Sequence, residues 1–243
     1  MRFDLPSKNY LQVHLQDSKL RDMILILPGG GYQMTSEREA EPVSKVFLED
    51  GYHTAIYYYR ESKLIHPEVK DEGLTALKIL KNIPRVDRIF VVGFSAGGHL
   101  AAMLATSYPK MIQGTILAYP VISSDPAIAH QGSINNLLGS YITRKRLDEV
   151  SLEKHVTKDV SPVFIMHTND DESVPIENSL VFIEALKKHD ILVESHFYPK
   201  GRHGVSLATK EVAFQDMDPN DFVHQFGYIS EWIDHVKTFL KRL

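Results

Sequence analysis

Three stretches of this chain are apolar without a break, Met23-Ile24-Leu25-Ile26-Leu27, Ile89-Phe90-Val91-Val92 and Val163-Phe164-Ile165-Met166, and Thr115-Ile116-Leu117-Ala118-Tyr119 is nearly so. A strand with one face in water alternates apolar with polar residues. Runs that do not alternate must be covered on both faces, which is the situation of strands in a parallel sheet. Helical spacing fills the intervals. Pro42 suits a first helical turn and Gly51 a stop, with Ala40, Val43 and Phe47 spaced for one buried face. Leu74, Leu77 and Leu80 follow, then Ile176, Leu180, Ile183 and Leu186, and finally Ile229, Ile233, Val236 and Leu240. Thr54 to Tyr59 and Val193 to Tyr198 read as further strands, and residues 10 to 15 as an early edge strand. Alternating strands and helices joined by right-handed crossovers predict an α/β fold, a doubly wound, mostly parallel sheet with helices on both faces. Ligands of such a sheet bind beyond the carboxyl ends of its strands. At 243 residues the chain fits a single domain, residues 1–243, with a polar, helical, cap-like excursion at residues 121–160.

Composition removes several function classes. A net charge of −4 gives no electrostatic reason to bind nucleic acid or an anionic membrane surface. No apolar stretch approaches the roughly 18 residues of a membrane span, and the start, Met1-Arg2-Phe3-Asp4-Leu5-Pro6, has no apolar signal core, so a cytoplasmic protein is expected. The absence of cysteine excludes disulfides and thiolate metal sites. No Gly-Lys-Ser/Thr follows the triple glycine at Gly29 to Gly31, and Gly93 to Gly98 lacks Gly-x-Gly-x-x-Gly spacing. With no metal-ligand spacing either, neither a cofactor nor a metal is expected. The expected partner is a small molecule, and assembly with further copies of the chain is compatible with the composition.

The residues that carry chemistry fall just after predicted strands. Gly93-Phe94-Ser95-Ala96-Gly97 places a serine where strand turns sharply into helix, a build that projects Oγ clear of the backbone for attack on a carbonyl. A serine hydroxyl needs an imidazole to take its proton. His203, in the glycine-flanked loop Lys200-Gly201-Arg202-His203-Gly204, is the candidate base. His99 lies a turn into the elbow helix, pointing away from Oγ, and reads as structural or as a pocket wall; His167 ends a strand and reads as a hydrogen-bonding residue. Asp170 and Asp171 are the candidates for the orienting carboxylate, one of which suits the start of the helix after Pro175. Backbone N–H groups of Gly30, Gly31 and Ala96 are the candidate oxyanion donors. Tyr32, after the glycines, and Ile122, in the excursion, are the candidate substrate-binding residues.

Pro28-Gly29-Gly30-Gly31-Tyr32, Gly93 to Leu100, His167 to Ser179 and Tyr198 to Gly204, in that order, resemble the bacterial acetylxylan-esterase-like α/β-hydrolases, relatives of the hormone-sensitive-lipase group. The resemblance spans roughly residues 20 to 207. It implies Ser95 as nucleophile, Asp171 as orienting acid, His203 as base, and the glycine loop with Ala96 as oxyanion hole. Where the lipase group has histidine before its glycines, this chain has Pro28. The expected activity is that of a serine carboxylesterase acting on short acyl esters, acetyl esters of carbohydrates in particular. A small serine peptidase or amidase, and a non-catalytic binding protein on the same scaffold, are the alternatives.

Overall fold

The computed structural model describes all residues, 1–243. Its centre is one eight-stranded sheet: β1 (Arg2–Asp4), β2 (Tyr10–His14), β3 (Arg21–Leu27), β4 (His53–Tyr58), β5 (Val86–Phe94), β6 (Gly114–Ala118), β7 (Val163–Thr168) and β8 (Val193–Tyr198). The spatial order is β1-β2-β4-β3-β5-β6-β7-β8. From β4 to β8 every neighbouring pair is parallel, while β1 and β2 pair antiparallel. The strand expected at the edge is therefore second from it. β1 lies outside, pairing Phe3 with Leu11. Three residues with a single apolar side chain carry no periodic signal, so only the pairing defines β1.

Eight α-helices surround the sheet: α1 (Glu41–Glu49), α2 (Glu68–Lys81), α3 (Ala96–Ser107), α4 (Gln131–Leu138), α5 (Arg144–Glu149), α6 (Glu177–Lys188), α7 (Pro219–Phe226) and α8 (Trp232–Leu240). The apolar runs feed two cores at once. Met23, Leu25 and Leu27 of β3 join Val91, Leu117 and Ile165 in a core covered by α2, α3 and α6. Ile24 and Ile26, with Val92, Ile116 and Phe164, face a second core beneath α1, α7 and α8. Strand residues of alternate parity thus leave water on opposite faces, and this is why the runs show no polar gaps. The closing helix begins as a 3₁₀ turn over Gly227–Glu231 and becomes α-helical at Trp232, whose side chain is fully buried. Truncating such a residue costs about 3–5 kcal/mol. No helix is long and apolar enough to cross a membrane.

The chain winds outward from β3 to β4, crosses back to β5 and continues to β8. The strand order reverses between β3 and β5, which pair Leu27 with Gly93. Their carboxyl ends carry the glycine loop and Ser95, so both sit at the switch point of the sheet. The loops after β7 and β8 carry Asp171 and His203, and Thr168 pairs with Tyr198 at that end.

Candidate active site

Between β5 and α3, Ser95 adopts φ 52° and ψ −118°, a left-handed conformation that L-residues other than glycine rarely take. The surroundings impose it. A Cβ on Gly93 would lie 2.4 Å from the Gly97 carbonyl oxygen, and one on Gly97 would lie 2.1 Å from that of Leu27, so the turn packs against itself and against β3 more closely than any side chain permits. Ser95 is left 7% exposed, with Oγ 2.8 Å from His203 Nε2.

His203 Nδ1 lies 2.6 Å from Asp171 Oδ2. The other carboxylate oxygen, Oδ1, accepts the N–H groups of Ser173 and Val174, both at 2.9 Å. Burial alone would raise the Asp171 pKa, but hydrogen bonds from His167 and His203, the charge of His203 and the Val174 N–H outweigh it and hold the carboxyl well below the usual range. An ionised Asp171 fixes the His203 proton on Nδ1 and leaves the Nε2 lone pair facing the Ser95 hydroxyl. Asp170 does something different: its Oδ1 accepts the Gly201 N–H at 2.7 Å and steers the loop carrying His203. His167 is fully buried, bonded to Ser179 Oγ and the Val174 carbonyl, with Nε2 3.4 Å from Asp171 Oδ2. Ser95, His203 and Asp171, far apart in the chain, thus form one continuous hydrogen-bonded line in space.

The glycine loop is held by its neighbours and leaves its own donors free. Gly30, Gly31 and Tyr32 have φ of 127°, 63° and 57°, and none of their N–H groups donates within the protein. Tyr59 donates its hydroxyl to the Pro28 carbonyl at 2.6 Å, and Asn136 Nδ2 donates to the Gly31 carbonyl at 2.8 Å. Glu39 Oε2 accepts the Gly29 N–H at 2.8 Å. Tyr32 Oη lies 2.9 Å from His99 Nδ1, whose Nε2 is 2.8 Å from the Val150 carbonyl oxygen. Burial pushes His99 down to about 4, so it is neutral near pH 7, donating from Nε2 and accepting the tyrosine hydroxyl at Nδ1. A Cβ on Gly29 would come within 3.0 Å of Ser95 Cβ, which places the start of the loop directly against the serine. Ala96, first residue of α3, has no intrahelical acceptor for its N–H.

The two residues expected to bind substrate are both inside the protein: Tyr32 is 1% exposed with its hydroxyl bonded to His99, and Ile122 is fully buried in the core under the excursion. Hydrophobic side chains close to a sheet edge pack downward as readily as they face a cleft, and their sequence positions do not distinguish the two. A surface cavity of about 680 Å³ opens beside His203, bordered by Asp170, Glu172, Arg202 and Tyr228. Sequence reasoning missed Glu39, because Ser36-Glu37-Arg38-Glu39 reads as an ordinary solvated helix approach. It is 3% exposed.

A switch-point serine on a strained strand-to-helix turn, in line with a histidine and an aspartate from the loops after β8 and β7 of a mostly parallel sheet, defines an α/β-hydrolase. The prolyl oligopeptidase family model matches residues 72–225, and the BD-FAE model matches residues 11–131. The chain belongs to the prolyl oligopeptidase family and is an acetylxylan-esterase-like α/β-hydrolase. It is 31% identical over 224 residues to endo-1,4-beta-xylanase B of Butyrivibrio fibrisolvens, covering 83% of this chain and 35% of that protein. It is 29% identical over 198 residues to the acetylxylan esterase of Xylanibacter ruminicola, covering 76% of this chain and 41% of the relative. The chain therefore spans well under half the length of these two relatives. Among solved structures, the acetyl ester-xyloside bifunctional hydrolase of Caldicellulosiruptor lactoaceticus superposes with a TM-score of 0.85 at 32% identity, covering 98% of this chain and 89% of the other.

Proposed function

We propose that the protein is a serine carboxylesterase that removes short acyl groups, acetyl above all, from carbohydrate esters through an acyl-enzyme. The observation that carries the reading is the unbroken line from Ser95 Oγ through His203 to an ionised Asp171, at 2.8 and 2.6 Å. Ser95 attacks the ester carbonyl as its proton passes to His203 Nε2, and the carbonyl oxygen becomes an oxyanion. The N–H groups of Gly30, Gly31 and Ala96 are the donors available to it, each worth on the order of 3 kcal/mol where such donors have been removed elsewhere. Collapse of the intermediate breaks the C–O bond, with the proton moving from His203 to the leaving alcohol. Water, deprotonated by His203, then releases the carboxylate and restores Ser95. Asp171 stays ionised throughout and balances the imidazolium. In this reading residues 1–243 work as one domain, and the 121–160 excursion, joined to the glycine loop through Asn136, walls the acyl side. The preference for acetyl and for sugar alcohols rests on the relatives named for acetylxylan and xyloside chemistry.

Labelling by a fluorophosphonate probe, lost in Ser95→Ala, tests the nucleophile. A series of p-nitrophenyl esters from acetate to octanoate, run beside acetylated xylo-oligosaccharides, tests the substrate. The expected result is labelling, with turnover highest on the shortest esters and on the acetylated sugars. The matched family is named for peptidases, which favours one second reading, amide hydrolysis by the same residues. Cleavage of acylated peptide amides faster than of any ester would establish it in place of the esterase.

A further inference from the structure

The two loops that meet at Ser95 come from opposite sides of the sheet, yet one buried side chain touches the supports of both. Glu39 Oε2 accepts the N–H of Gly29, where the glycine loop begins. Its Oε1 accepts the hydroxyl of Tyr119 at 2.6 Å. That hydroxyl in turn accepts the N–H of Ser206, three residues beyond His203, at 3.0 Å. The Tyr119 ring meets the His203 imidazole edge to face, with centroids 5.0 Å apart. A second link runs in parallel, since Ser206 Oγ donates to the Arg38 carbonyl at 2.8 Å, next to Glu39 in the chain. Trp232 Nε1 holds the Ser206 carbonyl at 3.0 Å. The Glu39 carboxylate makes hydrogen bonds only to Gly29 and Tyr119. Each of its two oxygens therefore takes one donor, one from the loop before the serine and one from the support of the loop that carries His203.

Resting on the esterase reading, we infer that Glu39 is a positioning residue that fixes the oxyanion donors and the His203 base in one shared frame. Gly29 abuts Ser95 Cβ, so a shift of the loop moves the donors relative to the oxyanion site. A shift of Tyr119 or Ser206 moves Nε2 relative to Oγ. The carboxylate accepts from both at once. A glutamine cannot, because only one of its two terminal atoms is an acceptor.

The test compares Glu39→Gln and Tyr119→Phe with wild type on p-nitrophenyl acetate, with active sites counted by phosphonate titration and folding followed by circular dichroism and Tm. Expected for Glu39→Gln is a fall in kcat per titrated site of about 10- to 100-fold with KM within about threefold, and a matching loss of affinity for a boronic acid that mimics the tetrahedral intermediate. Tyr119→Phe leaves the Gly29 bond intact and cuts only the link to Ser206, so its loss of kcat is smaller. It also decides the matter if Glu39→Gln does not fold. Wild-type kcat per titrated site in the folded variants, whatever their Tm, overturns the inference, as does an effect confined to KM. A wild-type enzyme that neither labels nor hydrolyses esters would instead refute the esterase reading itself.

Discussion

The loop after β3 and the loops after β7 and β8 both end at Ser95, but they are built differently. The glycine loop presents backbone, and side chains from elsewhere (Glu39, Tyr59, His99 and Asn136) grip it from outside. The Asp171 and His203 loops present side chains, joined to each other and to Ser95 by hydrogen bonds in which charge is involved. What distinguishes them is what each can tolerate. The first is damaged by added atoms, since its contacts with the elbow leave no room for a Cβ at Gly29 or Gly97. The second is damaged by changes that preserve shape and alter charge or tautomer.

The largest effect sits where the two meet. Ser95→Ala, which removes little packing, should leave a folded protein whose kcat has fallen by roughly 10⁴-fold or more, measured on p-nitrophenyl acetate after purification from host esterases. Next comes a contrast within the side-chain half. Asp171→Asn should lower kcat by at least about a hundredfold, because an amide cannot balance imidazolium and favours the wrong tautomer. Asp170→Asn keeps an acceptor for the Gly201 N–H and should cost less than about tenfold; equal losses in the two would erase the distinction between orienting the imidazole and steering its loop. In the backbone half, Gly29→Ala should reduce kcat by about tenfold or more with Ser95 still reactive toward a small phosphonate, as its Cβ would lie 2.8 Å from Glu39 Oε2 and 3.0 Å from the Phe94 carbonyl oxygen. Wild-type turnover there would show that the glycine loop yields where the packing says it cannot.

The remaining effect is on stability and involves His99. An unfolded imidazole protonates near 6.5, whereas buried His99 does so at about 4. Between those values the unfolded chain holds the extra proton. Stability is therefore complete above about pH 6.5 and declines as pH falls toward 4, by about 3 kcal/mol in all. Asp171, whose pKa is lowered from 3.8, adds its own loss further into acid. Thermal unfolding from pH 7.5 to 4 should show the decline, and His99→Gln, which can still donate to Val150 and accept from Tyr32, should flatten its upper part. An unchanged slope in that variant would detach His99 from the acid limb.

These contrasts also mark what could be read in the sequence. β3, β5, β6 and β7 were legible because residues facing both cores leave an unbroken apolar run, and the elbow because the close approach of β3 demands glycine at fixed positions. α7 carried no expectation, although Phe222 and Phe226 join the second core and pack on Phe214, since its short span offers barely two turns of periodicity. Ser95, Asp171 and His203 were legible as candidates because each follows a strand of one parallel sheet and so lies at the same sheet edge, whereas the strand order that brings them together was not. Tyr32 and Ile122 could not be placed, because which way an apolar side chain turns depends on neighbours distant in the chain. Glu39 was invisible for the same reason: its partners are Gly29, ten residues before it, and Tyr119, eighty after.

Five of the six non-glycine residues with left-handed backbone, Tyr32, Ser95, Tyr119, Ser206 and Ala208, belong to the loops around the serine, and only Asp190 lies in a remote turn. Each such conformation costs of order 1–3 kcal/mol, so the loops around the serine are held in place at the expense of global stability. Random mutagenesis selected for heat resistance alone would tend to relax these positions, where energy is most readily recovered. Thermostable descendants of this chain that keep their activity should therefore draw their substitutions from the helices and from the β1 edge, and those that lose it from these five residues.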